Sequence, residues 1–293
     1  TLPKVTSVGA HAFEGTNITG VTIPDGVTTI GDRAFANTPT EGHVTIPDGV
    51  THLGNEVFSN TKISTVFLPN SVTMLSQGLF QGCKNLNQVY VPDNYTGMGN
   101  YAFDGCEALT TVRLSANTTT MGEYSMQGTP MDYVKVPSKV EVLSRGAFKN
   151  SKNLVSLALP ASLKSVEAEA LYGCTALRNL SVEAIEPPTI KGGSAIQGIH
   201  TDLCIISIPT QSFNAYMNAP HWGLFVQMRN DIAVETAGNG EITFESVEEE
   251  EEEEEEEEVV YAKRRGVAQA KKRAPSYATP EDALTYANNG SSI

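Results

Sequence analysis

The residues with the most distinctive chemistry in this chain are four cysteines, Cys83, Cys106, Cys174 and Cys204, and five histidines, His11, His43, His52, His200 and His221. Zinc ligation would need several of them to converge, and no C-x-x-C spacing occurs. Cys83, Cys106 and Cys174 share one recurring position with Thr16, Thr38, Thr61, Thr129 and Ser151. A position that accepts Cys, Thr and Ser reads as a buried site for a small side chain, not as a metal ligand. The histidines share no such position, and no nucleophile motif accompanies them. Glycoside hydrolysis would need two carboxylates across a cleft, and Asp93, Asp104 and Glu107 form the nearest cluster. Turns are acidic for conformational reasons alone, as Asp25-Gly26 and Asp48-Gly49 also illustrate. The expectation is therefore no catalytic residue, no metal and no cofactor.

What positions these residues is a repeat. Prolines follow an apolar pair at Pro24, Pro47, Pro69, Pro92, Pro137 and Pro160, with Ser115 and Glu183 continuing the register. The gaps are 23, 22, 23, 23, 22, 23 and 23 residues. Before each proline runs an alternating stretch such as Ile63-x-x-Val66-x-Leu68 or Leu154-x-x-Leu157-x-Leu159. Period-two alternation over so short a run reads as a strand with one buried face. After the proline comes a block such as Val27-x-x-Ile30-Gly31-x-x-Ala34-Phe35, which reads as a turn, a short strand or a single helical turn. An aromatic recurs at Phe13, Phe35, Phe58, Phe80, Phe103 and Phe148, with Met126 and Leu171 substituting. One phenyl per unit predicts a buried stack. A unit of this size cannot bury its own apolar side, so neighbouring units must cover one another. The prediction is an α/β repeat solenoid of about eight units over residues 1–186, its strands adding into a parallel sheet. Glu41 stands where this register asks for an apolar strand residue.

Outward strand positions carry the binding candidates. Between the last two apolar residues of successive strands stand Thr22, Thr45, Phe67, Tyr90, Arg113, Lys135, Ala158 and Ser181. The neighbouring outward column includes His43, Gln88 and Tyr133. Phe67, Tyr90, Tyr133, Arg113 and Lys135 thus gather near the middle of the sheet, flanked by Gln88 and His43. Exposed aromatics beside arginine are the residue types of interface hot spots. The competing reading is that aromatics favour strands and that Lys and Arg solubilise the face.

The pattern L-x-x-L-x-L-P followed by Val-x-x-Ile-Gly-x-x-Ala-Phe resembles the BspA-like, treponemal-type leucine-rich repeats of bacterial surface proteins. The likeness runs from Leu2 to about Val182. It implies a right-handed curved solenoid with its parallel sheet on the concave face and a mostly irregular or short-helical convex side. Residues 187–230 contain, in order, Pro187-Pro188, Ile206-x-Ile208-Pro209, Ala215-Tyr216, Trp222 and Phe225. That order is similar to the terminal unit of secreted Bacteroidetes repeat proteins and predicts a capping unit. The resemblance implies a non-enzymatic surface protein that binds an extracellular protein or glycan, host matrix proteins included. Two other readings stay open: a structural spacer of a larger surface protein, and a hydrolase with an unrecognised site. Cys83 and Cys106 fall in adjacent units, where a disulfide is open if the geometry allows, though free thiols are expected.

Charge divides the chain. Residues 1–230 hold 17 acidic and 14 basic side chains, whereas residues 231–293 hold 17 acidic and 6 basic. The formal net charge of −14 therefore belongs mainly to the tail, and a nucleic-acid partner is not expected. Within that tail, residues 248–258 are eleven consecutive glutamates, followed by a basic stretch over 263–273, a pattern expected of a solvated linker. Residues 237–244 read as a turn and strand opening a further β module. No run approaches the ~18 apolar residues of a membrane helix. Residues 1–10 lack the basic start and apolar core of a secretory signal. Because Leu2-Pro3 already stands in the strand-end register, upstream sequence carrying a signal or anchor is expected. A monomer at the cell surface or outside the cell is the resulting expectation, with membrane contact only through such an anchor. The sequons at Asn17, Asn94, Asn117, Asn179 and Asn289 are read as products of Asn/Thr-rich composition.

Overall fold

The computed structural model describes residues 5–233. The acidic run, the basic stretch after it and the segment 237–244 lie outside them. The described chain winds as a parallel β-solenoid of about ten turns, because each turn offers one apolar side to its neighbours. Its longer strands form two ladders. One holds Glu41–Thr45, Lys62–Phe67 and Gln88–Tyr90. The other holds Tyr133–Lys135, Ser156–Leu159, Asn179–Val182, Ile205–Pro209 and Gln227–Ile232. Alternation sends Val44, Val66, Val89, Val134, Leu157, Leu180 and Ile206 inward, all buried.

The opposite side takes the short-strand form among those the sequence allows. It is a second set of parallel strands two residues long, among them Thr29–Ile30, Gly97–Met98 and Ser165–Val166. The stretch joining each short strand to the next long one is taken up mostly by tight turns. Among the described residues, the single α-helix is Phe213–Asn218. Consecutive turns come close at Gly54, where a β-carbon would overlap Asp32 of the preceding turn.

Between the two strand sets lies the predicted phenyl stack. Phe13, Phe35, Phe58, Phe80 and Phe103 follow at ring separations of 5.4, 5.5, 6.2 and 5.7 Å, all face to face. Phe13, at the end of the stack, stays 40% exposed, while the other four rings are buried. Burying a ring is worth about 1.5–3 kcal/mol, more than the stacking itself adds at about 0.5–1.5 kcal/mol, so burial is the main force. The small-residue column closes each turn. Thr38, Thr61 and Thr129 donate their hydroxyls at 2.9 Å to the carbonyls of Phe35, Phe58 and Met126. Cys83, Cys106 and Cys174 direct their thiols at the carbonyls of Phe58, Phe80 and Phe148, one turn back.

Two strand readings need correction. Glu41 does not occupy an apolar position: it is exposed, and Thr40 is buried in its place. The ladder shifts register between Gly42, at φ +79°, and His43, leaving Ser64 of the neighbouring strand unpaired, and the spacing from the buried Thr40 to Val44 is four instead of three. Residues 110–114 alternate correctly yet form no strand. Ser115, standing where proline is usual, instead donates its hydroxyl at 2.6 Å to the Asp93 carbonyl of the turn before.

Residues 187–232 add two strands to the longer ladder, Ile205–Pro209 and Gln227–Ile232, and the chain between them packs against the preceding turn. Tyr216 donates its hydroxyl to the Ala184 carbonyl at 2.7 Å, and the Trp222 indole donates to the Pro188 carbonyl at 2.7 Å. Their rings meet edge to face at 5.4 Å, with Phe225 tilted against Trp222 at 6.2 Å.

Candidate functional site

The long strands present Phe67 and Tyr90 outward because each follows an inward valine by one residue. Register puts Thr45, Phe67 and Tyr90 side by side, and likewise His43, Thr65 and Gln88. The Phe67 and Tyr90 rings stack at 4.5 Å and 2°, yet remain 40% and 52% exposed. Large apolar surface left this open on a small-residue sheet is the unusual feature of the face.

Tyr133 and Lys135 face outward on the other ladder, beside Ser156 and Ala158. Arg113 stands between the two groups, on residues 110–114, and pairs with Asp93 at 3.2 Å in an exposed position. The structure thus joins Phe67 with Tyr90 directly and sets Gln88 and His43 on the same ladder. It does not hydrogen-bond that ladder to the one carrying Tyr133 and Lys135.

The remaining chemistry is committed elsewhere. All four cysteines are free and buried. Burial pushes the Cys83 thiol up to about 11 and those of Cys174 and Cys204 to about 12, which leaves almost no nucleophilic thiolate at neutral pH. Asp93, Asp104 and Glu107 do not flank a cleft. Asp104 accepts from Gln81 at 3.0 Å and Gln127 at 2.9 Å, while Glu107 pairs with Lys84 at 2.8 Å. Among the described residues no three His, Cys, Asp or Glu converge as metal ligands. A shallow, open depression of about 390 Å³ is lined by Asn55, Met74, Ser76, Gln77 and Asn100, none of them ionisable. No helix among these residues is long and apolar enough to cross a membrane.

A second cluster escaped the sequence reading. At the edge after each short strand, one backbone position takes φ between 53° and 61° in eight successive turns: His11, Arg33, Glu56, Gly78, Tyr101, Tyr124, Gly146 and Glu169. Six of these are large side chains in a conformation that favours glycine. Their contacts with one another run along the edge. Arg33 bridges Glu14 and Glu56, Tyr101 stacks on Tyr124 at 5.2 Å, and Lys149 lies 5.6 Å over Tyr124 and 5.4 Å over Tyr172. Glu169 pairs with both Arg145 and Lys149. The 23-residue spacing of Tyr101 and Tyr124 was the available signal.

A leucine-rich repeat protein from Bacteroides ovatus has 23% identity and a TM-score of 0.60, over 70% of this chain and 54% of its own. The chain therefore spans about half the length of that relative, and the likeness is one of fold. The Treponema pallidum leucine-rich repeat protein shares 25% identity over 48% of this chain and 71% of its own, with a TM-score of 0.46. A leucine-rich cell surface protein from Faecalibacterium prausnitzii shares 19% over 77% of this chain and 83% of its own, with a TM-score of 0.35. No curated protein matches the sequence. The BspA-type leucine-rich repeat region matches in six copies, over residues 6–131, 79–189 and 119–218, and the chain belongs to that family.

Proposed function

We propose that this member of the BspA-type leucine-rich repeat family is a non-enzymatic protein of the cell surface or extracellular space that binds an acidic protein or glycan. The binding surface is the long-strand face, taken to be the concave one. The observation that carries this reading is the exposed Phe67–Tyr90 stack, flanked by Arg113 and Lys135. Burying those rings and Tyr133 supplies affinity, and the two cations select negative charge. Gln88 and His43 border the rings and supply hydrogen bonds. A ladder-bonded sheet loses little entropy on binding. A non-enzymatic role agrees with thiols held protonated by burial and with carboxylates engaged in exposed pairs.

The test is binding of the full chain to immobilised fibronectin, laminin and mucin, against a Phe67→Ala, Tyr90→Ala, Arg113→Ala variant of equal thermal stability. The expected result is saturable binding that weakens with salt and falls at least ~10-fold in the variant. Binding that the substitutions leave unchanged would move the site off this face. Absence of binding to every probe would favour a structural spacer.

A further inference from the structure

The turn that carries Arg113 meets the turn that carries Lys135 differently from every other pair of neighbours between Glu41 and Ile190. Elsewhere in that span, where one strand ladder lapses the other stays bonded. Lys62–Phe67 pairs with Glu41–Thr45 although Met74–Leu75 does not pair with His52–Leu53. Thr120–Met121 pairs with Gly97–Met98 although residues 110–114 do not pair with Gln88–Tyr90. At the Arg113/Lys135 junction both ladders lapse. Residues 110–114 make no backbone hydrogen bond to Tyr133–Lys135, and Thr120–Met121 makes none to Val142–Leu143.

The core changes at the same level. The phenyl stack ends at Phe103, and Met126 separates it from Phe148. Ser125 stands in a column between Ala102 and Ala147, and its buried hydroxyl has no partner.

The turn edge, by contrast, is continuous across this junction. Tyr124, Met126 and Gly128 donate their backbone N–H groups to the carbonyls of Arg145, Ala147 and Lys149, each at 2.9 Å. Arg145 and Lys149 lie 6.0 and 5.6 Å over the Tyr124 ring. Away from this edge, a hydroxyl bond from Ser151 to the Met126 carbonyl and an exposed bond from Lys139 to Asn117 also cross. One bonded edge and two unbonded faces make a hinge.

We propose that the solenoid bends at this junction, pivoting on the turn edge at residues 124–128 while the two strand faces open and close. The motion changes the separation of Tyr90 and Arg113 from Tyr133 and Lys135, so it sets the width of the long-strand face. It is a property of the free chain and does not depend on what that face binds.

Hydrogen exchange of the full chain, read by mass spectrometry, tests it. The amides of residues 111–114 should exchange roughly 10-fold or more faster than their counterparts at 156–159, with 124–128 remaining protected. Equal protection on both sides of the junction would overturn the proposal. A staple separates a hinge from a local lapse of one strand. Thr120 and Val142 are exposed and equivalent on adjacent turns, and a Thr120→Cys, Val142→Cys pair can be oxidised while the buried native thiols stay inert. In a hinge, closing the short-strand face slows exchange at 111–114 on the other face, and reduction restores it. Exchange at 111–114 indifferent to the staple would overturn the hinge and leave a local lapse.

Discussion

The phenyl column inside the solenoid and the outward column of its long strands are each sampled once per turn, and they behave in opposite ways. Inside, Phe35, Phe58, Phe80, Phe103 and Phe148 recur with only Met126 and Leu171 as exceptions. Outside, Thr45, Phe67, Tyr90, Arg113, Lys135 and Ala158 follow without repetition. Both columns belong to one chain with one backbone geometry, so local conformation does not explain the contrast. A column that repeats answers to packing against its neighbours, whereas one that changes is released from that demand. The difference assigns the phenyl rings to the fold and leaves Phe67 and Tyr90, chemically alike, available for something else.

The most forceful way to break this comparison is to truncate one ring from each column. Phe58 is fully buried between Phe35 and Phe80, so Phe58→Ala should destabilise the chain by about 3–5 kcal/mol. Phe67 lies between Thr45 and Tyr90 with its outer face in open solvent, so Phe67→Ala should cost about 1 kcal/mol or less. Denaturant unfolding followed by circular dichroism measures both. Equal costs would mean that the outward aromatics hold the sheet together, and the case for a binding face would fall.

What is legible in the sequence follows the same division. The phenyl stack, the inward strand positions and the small-residue column were legible because each recurs every 22–23 residues. The register shift after Gly42 was not, since a fixed three-residue spacing points to Glu41 and conceals the buried Thr40. Residues 110–114, Thr-Thr-Val-Arg-Leu, read as a good strand, and the missing ladder depends on neighbours that local pattern does not report. The turn-edge column stayed hidden because its positive φ is occupied by His, Arg, Glu and Tyr, where glycine or asparagine would have advertised it. The outward candidates could be placed on one face by register alone, but not the division of that face into two ladders.

That turn-edge column offers a smaller and sharper test, because glycine and tyrosine sit in it side by side. Gly146 has φ +61°, and a β-carbon there would overlap the Tyr124 ring lying across it. Gly128 has φ +69° with open space around it. Gly128→Ala should therefore cost only the backbone penalty of about 1–2 kcal/mol, and Gly146→Ala more. Adding Tyr124→Ala to Gly146→Ala should bring the glycine's cost down to that of Gly128→Ala. If both alanines cost the same from the start, the ring does not require the glycine, and the edge is looser than its contacts imply.

At the far end of the same edge the expected effect on stability is smallest, though a local one is large. Hydrogen bonds from Arg33, and then from His11, hold the Glu14 carboxyl at about 2, well below the ordinary carboxylate range. A depressed carboxyl lends its stabilisation above its ordinary pKa and loses it as the pH falls through about 2. The group lies at the surface, where solvent screens the pair, so little of this reaches the global fold. Side-chain carboxyl NMR of the full chain should find Glu14 titrating near 2, and Arg33→Gln should return it toward the ordinary range. The thermal midpoint at neutral pH should not move measurably. A clear fall in that midpoint would mean that a column free to vary in type is nonetheless carrying the fold. The line between repeating and varying columns would then run through the turn edge, instead of separating it from the core.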